Sequence, residues 1–326
     1  MAVMGTLVTN DEKMTLYYLF LSRIRCEEDK VAWYNETFTF PDKNLPFLKQ
    51  TYDGPCGVLA VVQARIIKAY CQDGIRESVV SDTNKILLIL ALAKTIWLAA
   101  QSNHSGGTAE AVFFSTNSSS EHWHRSVATS LTELVDIIRT NQKDMSQYGV
   151  LPFICSVIAS KGGMEWSNLL TERGDCDQTL VNLLISGRAA LTLADGSNPD
   201  FPGIHEQTDI GFLPTPDVAM ELQLGSYLKN PPYPVWVINR AAHYSVVCCE
   251  DAGLLQDKPG IYTLCYLRLS GRSALLKMTL YGERYNDDRD WSQTRYGVVE
   301  CLKVRWPSCS IDVVQGDEKP HQEIEN

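Results

Sequence analysis

No two of the ten cysteines in this chain are spaced as Cys-x-x-Cys, so the paired ligands of a zinc ribbon and the dithiol of a thioredoxin-like site are both missing. The first ten residues have no basic segment leading into an apolar stretch and a small-residue cleavage site. With no secretory signature, the expectation is a cytosolic or nuclear protein whose thiols stay reduced rather than forming a disulfide framework. No apolar run reaches the ~20 residues a membrane span needs, because Ile86 to Ala100 is shorter and is interrupted by Lys94. A buried helix and no membrane partner are the reading there. Gly106-Gly107 and Gly162-Gly163 lack the strand-to-helix context and the following lysine of a phosphate loop, so nucleotide chemistry and a bound cofactor are not indicated. Basic side chains are in the minority, 29 against 39 acidic, with a net charge of −10. That balance argues against a nucleic-acid partner. His122-x-His124 has no third ligand at diagnostic spacing, so no metal site is expected. Asp287-Asp288-x-Asp290 lacks the glycine and terminal glutamate of a calcium loop and reads as a solvated turn.

What the chain does have is a globular composition, 44% hydrophobic and 21% charged over 326 residues, enough to bury a sizeable core. Its most informative stretch is Gln50-Thr-Tyr-Asp-Gly-Pro-Cys56-Gly57. After it, Val58, Val61, Val62, Ile66, Ile67 and Tyr70 recur at spacings of three and four, the mark of a helix with one buried face. Cys56 then stands at a helix N-terminus, after a Gly54-Pro55 turn. Backbone N–H groups and the helix dipole favour a thiolate there, the form that acts as a nucleophile. The alternative is a buried core cysteine. Gln50, six residues upstream, can place a side-chain amide where an oxyanion forms; the alternative is a surface glutamine. His243 opens a β-type run, Tyr244 to Cys249, and supplies an imidazole for a cysteine–histidine pair; the alternative is a half-buried strand histidine. Asn239 and Glu250 flank it as candidate orienting groups, and the sequence does not choose between them. Cys248 and Cys249, adjacent on that strand, are read as core.

Elsewhere, residues 14–26 fit a helix or a strand equally. A wholly buried helix is expected from about Asp82, with Asp-Thr-Asn as its cap. Residues 101–122 read as a polar excursion with one short strand, Ser126 to Thr140 as helical, and 178–188 as a helix stopped by Gly187. The first 230 residues are expected to be mainly helical. From Val235 the runs 235–239, 244–249, 261–269 and 274–281 predict a small antiparallel sheet. The expected layout is one catalytic domain over 1–316 and a disordered tail over 317–326.

The order Gln50, Cys56, His243 is that of papain-like cysteine proteases. The chain also resembles the MINDY deubiquitinases, in the branch of their third and fourth members, through Gln50–Gln63, Leu180–Ala190, Gln207–Leu213 and Pro234 through Val246, closing with Arg305-Trp306-Pro307. The resemblance implies an α+β fold of papain-like type, with a mostly helical body and a small antiparallel sheet. It implies a cysteine isopeptidase acting on polyubiquitin chains or ubiquitinated proteins, preferentially lysine-48-linked chains, through a thioester. In it Cys56 matches the nucleophile, His243 the general base and Gln50 the oxyanion-hole residue. The second possibility it carries is an inactive ubiquitin-binding scaffold of the same fold.

Overall fold

A computed structural model describes residues 6–7, 20–42, 45–72, 83–102, 108–117, 120–141, 149–162, 169–196, 203–282 and 297–316. The undecided stretch up to residue 19, the Asp82 cap, the Asp287-Asp288-x-Asp290 turn and the 317–326 tail lie outside these residues.

In chain order the elements are β1 (Thr6–Leu7), α1 (Glu27–Asn35), α2 (Cys56–Gln72), α3 (Thr83–Gln101), β2 (Ala109–Asn117), β3 (Ser120–Ala128), α4 (Leu131–Asn141), α5 (Val150–Lys161), α6 (Gln178–Ser186), β4 (Gly211–Pro214), α7 (Pro216–Glu221), α8 (Ser226–Lys229), β5 (Val235–Arg240), β6 (His243–Cys249), β7 (Gly260–Arg268), β8 (Arg272–Leu280), α9 (Val298–Arg305) and β9 (Cys309–Gly316).

Helix α2 is the axis of the molecule. It was expected to bury one face, but Val58, Leu59, Ala60, Val61, Val62, Ala64 and Ile66 are all at 0% exposure. Each buried Val, Leu or Ile contributes about 1.5–3 kcal/mol by leaving water. Two polar side chains share this burial, and both are hydrogen-bonded, with only the Arg65 Nε left without a partner. The Gln63 side chain accepts from the Leu48 amide and donates to the Pro46 carbonyl. Arg65 donates to the Leu184 and Ile185 carbonyls at 2.9 Å each, closing the open end of α6, and reaches Asp209 at 3.4 Å. Helix α6 starts on the Asp177 side chain, which accepts from the Thr179 amide, and stops at Gly187 with φ +75, the left-handed turn that glycine adopts at no steric cost.

Helix α3 is apolar and long enough, at 19 residues, to cross a membrane by length and composition. Leu87, Leu88, Ala91, Leu92, Ile96 and Ala99 are nonetheless buried in this protein's own core. Burial is less complete than expected, since Ile86 is 36% exposed.

The sheet departs from expectation in size and sense. The four expected strands are present as β5 to β8 and pair antiparallel in sequence order, but the sheet has six strands in the order β4-β5-β6-β7-β8-β9. It is mixed, because β4 runs parallel to β5 from the Gly211–Trp236 pair to the Pro214–Asn239 pair. Four residues are too few for β4 to show a period of two, whereas β9 does alternate from Cys309 to Val313 and was passed over. A second sheet, in the order β1-β3-β2, replaces the polar excursion, while the first 230 residues remain mainly helical, with eight helices against four strands among the described residues. Ala109, Ala111, Ser126 and Ala128 are buried at its described end, and the Ser, Asn and Gly residues around Phe113-Phe114 hid a full-length hairpin from a reading by composition. Helix α4 accordingly starts at Leu131, not Ser126. The α+β class stands, with more sheet than expected.

Candidate active site

Cys56 is the first residue of α2. The turn before it is set by Gly54 at φ +104, and the Pro55 carbonyl accepts the first helical hydrogen bonds from Val58 and Leu59 at 3.0 and 3.1 Å. The Cys56 and Gly57 amides belong to the helix's unpaired first turn, and both lower the pKa of the Cys56 sulfur. Gly57 has to be glycine. A Cβ there would stand 2.8 Å from the Cys176 Cβ, inside any real carbon contact.

The β5–β6 hairpin brings the expected partner. Arg240 and His243 pair across a turn made by Ala241 and Ala242, both with positive φ, +47 and +64. This is the type I′ geometry, in which Asn-Gly is usual and alanine is strained. The Ala242 carbonyl accepts a hydrogen bond from the Cys56 thiol at 3.4 Å, and His243 is the next residue, exposed at the start of β6. The fold therefore brings together the helix start carrying Cys56 and the hairpin carrying His243, 187 positions apart by residue number (243 − 56).

The thiol itself is not as expected. A helix start was read as exposed and electropositive, yet Cys56 is only 6% exposed, because the hairpin and the Asp175–Cys176 turn close over it. Burial pushes its pKa up to about 11, and Asp175 adds to the rise, while the amides of Tyr244, Gly57 and Cys56 pull it down. In this arrangement the sulfur is a neutral thiol donating to a carbonyl.

Gln50 lies on the neighbouring loop, half-buried. Its backbone N–H donates to the Leu269 carbonyl at 2.8 Å, and its side-chain Nε2 donates to the Tyr52 carbonyl at 2.6 Å. A carboxamide has two N–H bonds, so one remains for another acceptor. The loop is pinned by Glu36, fully buried, whose Oε2 accepts from the Thr51 and Tyr52 amides at 2.9 and 2.7 Å and whose Oε1 accepts from Thr37 at 3.1 Å. Burial raises the Glu36 pKa, and those three amides lower it.

Neither candidate orienting group turns to the imidazole. The Asn239 Nδ2 donates to the Tyr244 hydroxyl at 3.3 Å, and Glu250 lies past the far end of β6. The carboxylate that does sense His243 is Asp175, which sequence reasoning missed. Burial raises its pKa, and the positive charges of His243 and Arg173 lower it. Its turn is packed on the cysteine loop from both sides. The Gly174 carbonyl is 3.0 Å from where a Gly54 Cβ would be, and the Cys176 thiol donates to the Gly54 carbonyl at 3.6 Å. The one local signal was a polar Arg-Gly-Asp turn just before a capped helix, since chemistry is often carried on such loops. Among the described residues no group of three or more His, Cys, Asp or Glu side chains is placed to hold a metal.

Residues 18–315 match the family model described as "Deubiquitinating enzyme MINDY-3/4, conserved domain", which puts this fold and site in the class of deubiquitinating-enzyme domains. The chain belongs to the MINDY-3/4 family. It is 28% identical over 344 residues to human "Probable ubiquitin carboxyl-terminal hydrolase MINDY-4", covering 90% of this chain and 44% of that protein. It is 28% identical over 268 residues to "Ubiquitin carboxyl-terminal hydrolase MINDY-3" of Xenopus tropicalis, covering 68% and 61%. The chain thus spans less than half the length of the MINDY-4 relative. No solved structure matches it.

Proposed function

We propose that this protein is a cysteine deubiquitinase that hydrolyses isopeptide bonds in polyubiquitin, with lysine-48-linked chains as its preferred substrate. Cys56 is the nucleophile, His243 the general base and Gln50, with the Cys56 backbone N–H, the oxyanion donor, in a papain-like arrangement. Residues 1–316 act as one catalytic domain, a reading supported by the continuous apolar core that runs from Phe20 to Ile311. The observation that carries the proposal is the seat of Cys56: first residue of a buried helix, against the hairpin turn that places His243.

In the reaction the Cys56 proton leaves the Ala242 carbonyl for the His243 imidazole, and the sulfur attacks the carbonyl carbon of ubiquitin's C-terminal glycine. The negative charge that develops on that oxygen faces the Cys56 N–H and the free N–H of Gln50, an arrangement worth about 3–4 kcal/mol per donor in acyl transfer. His243 then protonates the departing lysine amine. Water, deprotonated by His243, hydrolyses the thioester and frees the ubiquitin carboxylate. Asp175 is a positioning residue here: it is the carboxylate on which the His243 charge acts, an interaction that lowers its pKa against the rise from burial.

A second reading has its own support. A neutral thiol held by Ala242, together with a Gln50 amide tied to Tyr52, also suits a ubiquitin-binding scaffold that never turns over. The two separate in one assay: lysine-48-linked tetraubiquitin, and chains of other linkages beside it, incubated with wild type, Cys56→Ala and His243→Ala. The deubiquitinase reading requires shorter chains from wild type alone and faster release from the lysine-48 linkage. Equal cleavage by Cys56→Ala overturns the nucleophile assignment, and binding with no cleavage by any of the three favours the scaffold.

A further inference from the structure

Helix α2 and strand β6 both begin at the candidate site, at Cys56 and His243. Their other ends border a cavity of about 450 Å³ whose lining includes Ile67, Cys71, Cys248, Tyr262, Cys265 and Leu267. Two of these thiols are placed as a pair. Cys248 and Cys265 are direct partners across the antiparallel β6–β7 ladder, which puts their side chains on the same face of the sheet. Directly opposed residues in such a ladder have Cα atoms about 4.5 or 5.5 Å apart, inside the roughly 4.4–6.8 Å that a disulfide spans.

We propose that Cys248 and Cys265 form a peroxide-sensitive oxidation site, closing to an intramolecular disulfide while Cys56 remains a thiol. Three features give the order of reaction. Cys265 is partly exposed where it lines the cavity, whereas Cys56 is shut beneath the hairpin. The neighbouring Cys248 thiol lowers the Cys265 pKa, although burial opposes it. Burial raises that of Cys56. Since the thiolate is the form that attacks peroxide, the pair reacts before the nucleophile. Cys71 faces the same cavity from α2, but it has no place in the ladder opposite either thiol.

The chemistry balances with one equivalent of hydrogen peroxide. The Cys265 thiolate attacks a peroxide oxygen, an S–O bond forms, the O–O bond breaks, and hydroxide leaves and is protonated to water. The Cys248 sulfur, losing its proton, then attacks the Cys265 sulfenic sulfur; the S–S bond forms, the S–O bond breaks and a second water departs. The two sulfurs are oxidised by two electrons in all, and the peroxide is reduced to two waters. Cys248 stands five residues along β6 from His243 (248 − 243), and the ladder already holds the two strands in register, so the bridge leaves the Cys56 end in place.

The test is a peroxide titration of the intact protein, with remaining thiols blocked by N-ethylmaleimide in denaturant and the digest mapped by mass spectrometry. The expected product is a Cys248–Cys265 linked peptide, two hydrogens lighter than the separate peptides, accumulating about tenfold faster than Cys56 loses its label. Cys71→Ser should leave that link intact, while Cys248→Ser should abolish it and leave Cys265 as a sulfenic acid trapped by dimedone. Oxidation of Cys56 first, linkage to Cys71, or a pair that stays fully alkylated at doses that oxidise other cysteines would overturn the proposal. The wild-type map decides this even if a variant folds poorly.

Discussion

At Cys56 two effects compete for one proton. The unpaired amides at the start of α2 and the Tyr244 amide favour a thiolate, but burial and the Asp175 charge together put the thiol at about 11. Burial wins in this arrangement, because a hairpin and a turn cover the sulfur. Alkylation of Cys56 by iodoacetamide in the protein alone should therefore rise about tenfold per pH unit across roughly pH 7 to 10. A flat rate across neutral pH would instead reveal a preformed thiolate–imidazolium pair. Asp175 is coupled to both sides of the site: it raises the Cys56 pKa, and its own is lowered by the His243 charge. Asp175→Asn should speed iodoacetamide labelling of the resting thiol yet slow chain cleavage by about tenfold, ~1.4 kcal/mol of barrier, with Asp175→Glu recovering part of the loss. A purely structural role would lower both or neither.

The β5–β6 hairpin carries His243 and supplies the carbonyl that holds the thiol, and it does so through two alanines at φ +47 and +64. A left-handed alanine costs roughly 1–2 kcal/mol against a residue suited to that region. Replacing Ala241-Ala242 with Asn-Gly should raise the urea midpoint by about 1–2 kcal/mol of stability with an unchanged slope. An unchanged or lower midpoint would mean the strain is relieved elsewhere. What could be read in the sequence at this scale follows from periodicity. Helix α2, the Gly187 stop of α6 and strands β5 to β8 were legible because apolar spacing and turn residues agreed there. The β2–β3 hairpin is set among Ser, Asn and Gly residues that read as a loop, and β4 is too short for a pattern, so both escaped. Cys56, His243 and Gln50 were legible as candidates from residue type and local context. Asp175 was not, since its relation to Cys56 rests on packing between turns 119 positions apart (175 − 56), and neither was the burial that neutralises the thiol.

Across the whole molecule one apolar core joins the helical part to the six-stranded sheet, so the two sides of the site are held by a single packed unit. Interiors of this density transmit a shift at one element to its neighbours. The proposed reaction requires such a shift, since in it the Cys56 proton leaves the Ala242 carbonyl before the sulfur attacks. A ubiquitin tail entering between the hairpin and the 50–56 loop would supply it, by placing a carbonyl where the Cys56 and Gln50 N–H groups can reach it. Attack of Cys56 on the ubiquitin C-terminus is the central step of the proposed reaction. The most direct test is incubation with ubiquitin bearing a C-terminal propargyl group, wild type beside Cys56→Ala, read by intact mass. An adduct of one ubiquitin on wild type and none on Cys56→Ala is the predicted result; an adduct that persists on Cys56→Ala, or none on wild type that cleaves chains, would contradict it.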